Sequence, residues 1–179
     1  MIFKSSFFSK FIIILNSMIP HLLLETQHPA VNITSNGNQL PRFASLKAHR
    51  VNVRVGPDKN KYNILWSYTK EGLPVEIIQE YDNWRRIRDS DGDSGWIHNA
   101  LLSKQRTVII TPWQKDKSGL SPMRKEPSDQ AKIVAHIESG VIGKIRQCTG
   151  IWCQIEIEKR HGWLKQIQLW GVSPGEKIF

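Results

Sequence analysis

Two segments of this chain are copies of one unit, the first from Arg42 to Ser103 and the second from Arg106 to Val172. The triplet Gly95-Trp96-Ile97 of the first copy matches Gly162-Trp163-Leu164 of the second at an offset of 67 residues. A unit that recurs at a fixed spacing is one structural module, so this repeat constrains the fold more than composition does. A module of about 60 residues is close to the lower size limit for independent folding, so packing of one copy on the other would stabilise both.

Both copies consist of short apolar runs separated by clusters of turn residues. The first copy has no sustained apolar pattern at helical spacing. Short strands with Gly, Asp and Asn between them predict a small all-β barrel or sandwich. The predicted strands of the first copy are Ala44 to His49, Ile64 to Tyr68, Val75 to Ile78 and Trp84 to Arg88. Those of the second copy are Arg106 to Thr111, Ile133 to Ile137, Val141 to Arg146 and Ile151 to Ile157.

The motifs of the first copy are specific in their order and spacing. They are Asn52 to Pro57, Gly72 to Ile77, Asn83 to Ile87, Ser94 to Ile97 and Leu101-Leu102. With these motifs the segment resembles a bacterial Src-homology-3 (SH3) domain. The second copy resembles the same family, although its Ser121 to Pro127 lacks the glycine before the proline. The resemblance implies an all-β chain of two tandem, five-stranded SH3-like barrels. It also implies a place outside the cytoplasm, often in proteins that touch peptidoglycan.

The first 30 residues have the pattern of an export signal. Lys4 and Lys10 precede an apolar stretch of 14 residues from Phe11 to Leu24, which polar residues interrupt. A membrane-spanning helix needs about 20 mostly apolar residues, so the stretch predicts a signal helix, either cleaved or kept as an anchor. We therefore expect the protein in the periplasm or cell envelope, with only a transient membrane contact through this segment.

These patterns divide the chain into five segments. Residues 31–41 are polar, with Gly and Pro, and are expected to be a linker. The complete division is 1–30 signal peptide or anchor, 31–41 linker, 42–103 first SH3-like domain, 104–172 second SH3-like domain and 173–179 C-terminal tail.

The seven tryptophans fall into a recurring and a non-recurring group. Large indole rings fill a small core efficiently, so the recurring ones are expected to pack the barrels. They are Trp84, Trp96, Trp152 and Trp163. Trp66 and Trp113 do not recur, which makes them candidates for an exposed aromatic platform that stacks on sugars or bases.

The chain is basic, with a formal charge of +9, and such a surface favours polyanions. Arg85, Arg86 and Arg88 cluster on one predicted strand, and Arg54 is a further candidate. Side chains alternate along a strand, so Arg86 and Arg88 share one face while Arg85 shares the other with Ile87. These arginines form either an anion-binding patch or a solvated face that discourages edge pairing.

Cys148 and Cys153 flank the tip of a predicted hairpin. An even number of cysteines in an exported protein favours a disulfide. Two free thiols, or zinc ligands together with His136 and His161, are the alternatives, although two cysteines at this spacing make a poor zinc signature.

No catalytic constellation is evident in the sequence. There is no phosphate-binding glycine loop, no paired-histidine metal helix and no serine elbow, so we expect no enzyme activity, no metal and no cofactor. The favoured function is an exported binding module that contacts peptidoglycan or an envelope protein. A basic small barrel that binds nucleic acid is the alternative, but export makes a nucleic-acid partner unexpected.

Overall fold

The computed structural model describes residues 32–33, 39–114 and 119–179. The predicted signal segment, residues 1–30, lies outside the described residues. Within the described ranges, no helix is long and apolar enough to cross a membrane. Part of the predicted linker is extended, because strands β1 (Asn32–Ile33) and β2 (Gln39–Leu40) pair antiparallel. The buried Leu40 joins the first hydrophobic core, so this end of the linker belongs to the first barrel.

The first copy folds into one antiparallel sheet of seven strands, the first barrel, in the order β5-β4-β8-β7-β6-β3-β9. A short 3₁₀ turn, Asn99–Leu101, precedes the last strand. The strands are β3 (Arg42–Leu46), β4 (Val51–Arg54), β5 (Ile64–Tyr68), β6 (Pro74–Tyr81), β7 (Trp84–Arg88), β8 (Ser94–His98) and β9 (Leu102–Ser103).

The second copy forms a separate antiparallel sheet, the second barrel, with the equivalent order β12-β11-β15-β14-β13-β10-β16. A 3₁₀ turn, Gln166–Gln168, again precedes the closing strand. The strands are β10 (Thr107–Ile110), β11 (Leu120–Arg124), β12 (Ile133–Glu138), β13 (Ile142–Thr149), β14 (Trp152–Ile157), β15 (Arg160–Lys165) and β16 (Leu169–Trp170). One sheet for each copy confirms the prediction of an all-β chain with two tandem barrels.

The C-terminal residues continue the second barrel. Strand β17 (Lys177–Ile178) pairs with β13, where Cys148 lies opposite Ile178. The buried Gln166 holds the preceding residues, because its Nε2 donates to the Glu176 carbonyl at 2.9 Å and its Oε1 accepts from the Gly175 N–H at 2.7 Å. The segment predicted as a tail is therefore a strand that covers the β13–β14 hairpin.

Each barrel has its own core, and strand alternation decides which side chains enter it. Ile87 and Ile97 are fully buried in the first core, as are Ile155 and Leu164 in the second. The recurring tryptophans lie on the other faces of these strands and are not members of the two core clusters. Trp84 and Trp96 are half-buried, whereas Trp152 and Trp163 are buried. The expectation that they pack the barrels agrees with the burial of the second pair but not with that of the first.

The two barrels meet through one joint. The rings of Phe43 and Trp170 pack edge to face with their centroids 5.2 Å apart. The Arg106 guanidinium lies 5.8 Å from the centre of the Phe43 ring. The Thr107 hydroxyl donates to the Gly72 carbonyl at 2.8 Å. These contacts connect the start of each barrel to the other barrel, as expected for two modules of marginal size.

Candidate functional site

The first barrel has an open groove of about 760 Å³, which we call the first-barrel groove. It lies between the loop that follows β4 and the β6–β7 hairpin, and the 3₁₀ turn forms its end. Its aromatic wall is made of Tyr81, Trp84 and His98. Its basic residues are Arg50, Arg54 and Lys59, and two carboxylates, Asp58 and Asp82, complete its charged lining.

The β6–β7 hairpin presents the aromatic wall. Asp82 has a φ of 47°, in the left-handed region, and the two-residue turn at 82–83 places Tyr81 opposite Trp84. The Tyr81 side chain is 61% exposed. Trp84 lies opposite His98 on the neighbouring strand, and their rings pack edge to face at 5.5 Å. The exposed ring of Tyr81 and the half-buried rings of Trp84 and His98 thus line the groove.

The 3₁₀ turn fixes the imidazole of His98. The His98 Nδ1 accepts a hydrogen bond from the Ala100 N–H at 3.2 Å. In the neutral ring this leaves Nε2 as the nitrogen that carries the hydrogen. The Asn99 N–H donates to the Asn83 carbonyl at 2.8 Å, so the turn is tied to the hairpin tip. The groove therefore has a built wall with a hydrogen-bond donor beside two aromatic rings.

Arg54 organises the loop on the other side. Its Nη1 donates to the Tyr62 carbonyl at 2.8 Å. In the second barrel, Arg124 makes the same bond to the Ala131 carbonyl at 2.8 Å. Because this hydrogen bond recurs in both copies, it serves the shared fold. The main role of Arg54 is therefore to hold the loop, and it also contributes a positive charge to the groove.

Asp58 is a turn residue of the same loop. The backbone N–H of Asn60 holds the pKa of the Asp58 carboxyl below its ordinary value. Desolvation opposes this effect, and the Lys61 N–H and the charges of Lys61 and Arg54 add to it. The loop is thus closed by its own carboxylate, and the exposed side chains of Arg50 and Lys59 keep the groove basic.

Arg85 is not part of any binding surface in the structure. Its side chain points with Ile87 towards the interior, its residue is 9% exposed, and its Nε lies 3.2 Å from Glu80. It also donates to the carbonyls of Asp82 and Trp84, both at 2.8 Å. Its guanidinium makes these contacts within the β6–β7 hairpin, so proposing Arg85 as a ligand-binding residue was wrong.

Arg86 and Arg88 lie on the outer face of β7, as alternation predicted. Both are exposed. Arg88 makes two hydrogen bonds to Oε2 of Glu76, at 2.6 and 2.9 Å. Arg86 makes one long hydrogen bond, 3.4 Å, to the Ser94 hydroxyl. Arg86 is therefore held by fewer and longer hydrogen bonds than Arg88, and neither residue lies in the first-barrel groove.

The two non-recurring tryptophans differ in exposure. Trp66 is half-buried, packs against the first core and contacts Tyr68 edge to face at 6.0 Å. This packing removes Trp66 from the exposed platform that the sequence suggested. Trp113 is 54% exposed, in agreement with the expectation, and lies in a different groove between the barrels. The six candidates of the sequence are thus not brought together in one site.

The sequence reasoning did not propose Lys59, Tyr81 or His98, and it noted Arg50 only as part of the basic cluster around Arg85. A signal for two of them was present. Tyr81 stands one residue before the Asp82-Asn83 turn, where strand residues close a hairpin, and His98 follows the recurring Gly-Trp-Ile motif. Arg50 and Lys59 lie in loops, and only the folded loop brings them to the aromatic wall.

Cys148 and Cys153 form the predicted disulfide, so neither offers a thiolate as a nucleophile or zinc ligand. Within residues 39–114 and 119–179, no three His, Cys, Asp or Glu side chains form a cluster that could hold a metal ion. The groove offers aromatic faces, cations and hydrogen-bond donors.

Comparison with known proteins identifies the repeated unit. A family model described as "Bacterial SH3 domain" matches residues 47–104 and 117–171. No curated protein matches the chain.

Three solved structures are similar to part of the chain. NlpC2 and NlpC1 from Trichomonas vaginalis are each 14% identical with TM-scores of 0.33; the matches cover 74% and 78% of this chain and 49% and 48% of those proteins. An NlpC/P60 family protein from Bacillus cereus ATCC 10987 is 11% identical with a TM-score of 0.31, covering 72% of this chain and 55% of that protein. The chain thus spans about half the length of these structures.

Proposed function

The chain belongs to the bacterial SH3 domain family, and from this premise we propose that it is a non-catalytic binding module of the cell envelope whose first-barrel groove binds peptidoglycan. The observation that carries the proposal is the pairing of an aromatic wall with a basic loop in one groove. An SH3-like fold hosts many functions, so the proposal depends on this groove and not on the fold alone.

The aromatic wall suits the carbohydrate part of the ligand. The exposed face of Tyr81 and the half-buried ring of Trp84 present apolar planes with polar edges, and such rings combine apolar contact with hydrogen bonding. The His98 ring, fixed through its Nδ1, adds a polar edge beside Trp84. A sugar ring or a short peptide stem would contact these planes through C–H groups.

The basic loop suits the anionic part of the ligand. The stem peptides of peptidoglycan carry carboxylates, and the exposed Arg50 and Lys59 would pair with them. The net charge of +9 would raise the local concentration of any such polyanion near the protein. Nucleic acid shares this attraction, and therefore it serves as the competing ligand in the test.

The groove is held in shape before any ligand arrives. The Arg54 bond to Tyr62 fixes the loop, and the Asn99 bond to Asn83 fixes the hairpin against the 3₁₀ turn. A preformed groove loses little conformational entropy on binding, which favours affinity.

Sedimentation with purified peptidoglycan sacculi tests the proposal. We expect the chain to sediment with sacculi, and the Tyr81→Ala and Arg50→Ala variants to bind about tenfold more weakly each, the size of effect found for aromatic and arginine anchors. Phe179→Ala is the matched control, because it removes an aromatic ring that is fully exposed and outside the groove.

Two results would contradict the proposal. One is sedimentation that Tyr81→Ala and Arg50→Ala leave unchanged. The other is absence of sacculus binding combined with binding to single-stranded DNA that weakens steeply with salt, which would support the nucleic-acid alternative.

A further inference from the structure

A second groove, of about 1040 Å³, runs between the two barrels; we call it the inter-barrel groove. The second barrel contributes three large, exposed apolar side chains to it. Trp113 is 54% exposed, Ile151 69% and Ile167 82%. Isolated exposed apolar residues are ordinary, but three around one concave surface mark an interaction site.

The first barrel shows that the fold does not require two of these side chains. The Gln166 N–H donates to the Ile151 carbonyl at 2.7 Å, and the same bond joins Asn99 to Asn83 at 2.8 Å in the first barrel. Ile151 therefore occupies the place of Asn83, and Ile167, one residue after Gln166, occupies that of Ala100. The same backbone carries a polar or small residue in one copy and isoleucine in the other.

Trp113 is presented on a turn that is strained and firmly held. Thr111 has a φ of 40°, which a β-branched residue rarely adopts. Its N–H donates to the Gln168 carbonyl at 2.7 Å, and the buried Ser139 hydroxyl donates to the carbonyls of Thr111 and Gln114. The surrounding bonds maintain a conformation that exposes an indole ring, and strain of this kind concentrates at binding sites.

The equivalent place in the first barrel carries a polar residue. The Lys47 N–H donates to the Leu101 carbonyl at 2.8 Å, as the Thr111 N–H does to Gln168. Two residues beyond this shared hydrogen bond stands His49 in the first barrel and Trp113 in the second, in a loop that is longer and turns through the positive φ of Thr111. All three apolar side chains are thus specific to the second copy.

The remaining surfaces of the groove differ in character. Its floor includes Phe43 and Trp170, the aromatic pair that joins the barrels. Its opposite wall is the β7–β8 turn of the first barrel, with Asp89 and Asp91. The two cations of the lining, Arg88 and Lys165, are paired with Glu76 and Asp129. The Asp89 carboxylate accepts the N–H groups of Asp91 and Asp93 and the Tyr68 hydroxyl, so the acidic turn has a fixed shape.

We propose that the inter-barrel groove docks an extended peptide segment of a partner protein. Its apolar side chains contact Trp113, Ile151 and Ile167, and a lysine or arginine faces the acidic turn. An extended segment reaches pockets through alternate side chains, so it can address an apolar wall and an acidic wall together.

The charge and shape of the groove favour this occupant over the others. A second copy of the chain carries the same +9 charge and is repelled at long range. A lipid surface does not enter a concave groove, and the acidic turn repels anionic headgroups. Aliphatic Ile151 and Ile167 offer no hydrogen bonds to sugar hydroxyls.

The test uses the full chain and a library of short random linear peptides displayed on phage. Peptides that the chain selects are synthesised, and their affinities are measured by fluorescence anisotropy. We expect them to combine large apolar residues with Lys or Arg. The triple variant Trp113→His, Ile151→Asn, Ile167→Ala should bind them at least about tenfold more weakly.

Ile151→Asn and Ile167→Ala introduce the residues that the first barrel carries at the equivalent places of its hairpin and 3₁₀ turn, and Trp113→His changes a residue that is 54% exposed. The single variant Ile167→Ala changes a side chain that is 82% exposed and provides a second measurement that does not depend on folding of the triple variant. Val134→Asn is the matched control, since it removes an exposed apolar side chain of the same barrel outside the groove and should leave peptide affinity unchanged.

Three results would overturn the inference. If neither the triple variant nor Ile167→Ala changes the peptide affinities, the selected peptides bind outside the inter-barrel groove. A dimer in analytical ultracentrifugation that the triple variant abolishes would assign the groove to a second copy. Sacculus binding that the triple variant abolishes would assign it to the cell wall. Because the first-barrel groove is intact in this variant, failure of one proposal is distinguishable from failure of the other.

Discussion

Phe43, on the first strand of the first barrel, packs edge to face against Trp170, at the end of the second barrel, with 5.2 Å between the ring centroids and 82° between the ring planes. The two residues are far apart in sequence and belong to different copies. This contact makes each barrel part of the other's environment, and the cation of Arg106 lies against the same Phe43 ring.

The first prediction concerns this joint. Phe43→Ala removes a half-buried ring and its aromatic partner contact, and we expect a loss of roughly 2 kcal/mol in unfolding free energy. The loss should also reduce cooperativity, so that urea unfolding broadens or separates into two transitions. Phe179→Ala serves as the control. A sharp single transition with unchanged midpoint in Phe43→Ala would show that the joint contributes nothing.

The second prediction separates two neighbouring arginines. Arg85→Leu leaves the nearly buried Glu80 with one cation fewer and should destabilise the protein by roughly 3 kcal/mol. Arg86→Leu changes an exposed side chain and should cost less than about 0.5 kcal/mol. Chemical denaturation of both variants measures the difference. Equal stabilities would contradict the inward placement of Arg85.

The third prediction concerns the disulfide. Replacing both Cys148 and Cys153 by alanine opens the small loop that the disulfide closes. We expect the unfolding free energy to fall by about 2 kcal/mol, because the unfolded chain gains conformational entropy. Both sulfurs are held in the bond, so alkylation of the unfolded protein should fail without reductant and succeed after reduction. Mass spectrometry reads both states, and alkylation of the native, unreduced protein would refute the bond.

The fourth prediction is a pH dependence at Glu176. Burial raises the pKa of its carboxyl, but the Arg106 hydrogen bonds, the Ser173 N–H and the Arg106 charge outweigh this, so the folded-state pKa lies below the ordinary value. A lowered carboxyl pKa contributes stability above the ordinary Glu value of about 4.3, and this stability is lost as pH falls through the lower folded-state pKa.

Comparison of the wild-type protein with Glu176→Gln isolates this contribution. The wild-type protein should lose unfolding free energy as pH falls below about 4.3, whereas Glu176→Gln should show a shallower decrease over the same interval. Urea titrations at a series of acidic pH values provide the measurement. Parallel curves for the two proteins would contradict the proposed role of the Arg106–Glu176 pair.

The repeat made much of the fold predictable because its recurring residues meet strict local demands. Gly95 and Gly162 recur because a Cβ atom at either position would collide with a core side chain, Val53 in one barrel and Met123 in the other. Strands Ile64–Tyr68 and Trp84–Arg88 were predicted with their observed bounds, since turn residues flank both. Strand Val51–Arg54 was recognised only as a motif, although its alternating burial is that of an ordinary strand.

The candidate site was less predictable because it depends on which strand face meets the core. Alternation had already put Arg85 on the face of Ile87, and once Ile87 enters the core, Arg85 must follow it. The first-barrel groove is formed by loop residues and by a hairpin distant in sequence, and no local sequence pattern predicts that the two lie side by side. The C-terminal strand pairs with β13 through backbone hydrogen bonds. Because these bonds do not require particular side chains, the sequence did not predict the strand.

That last strand also determines where another polypeptide can be attached. Phe179 follows the strand Lys177–Ile178, and the adjoining Pro174 and Gly175 line the inter-barrel groove. A reporter protein attached directly after Phe179 would therefore emerge from the sheet next to the surface on which a partner is expected. A flexible spacer after Phe179 would move such a reporter clear of the groove before any search for partners.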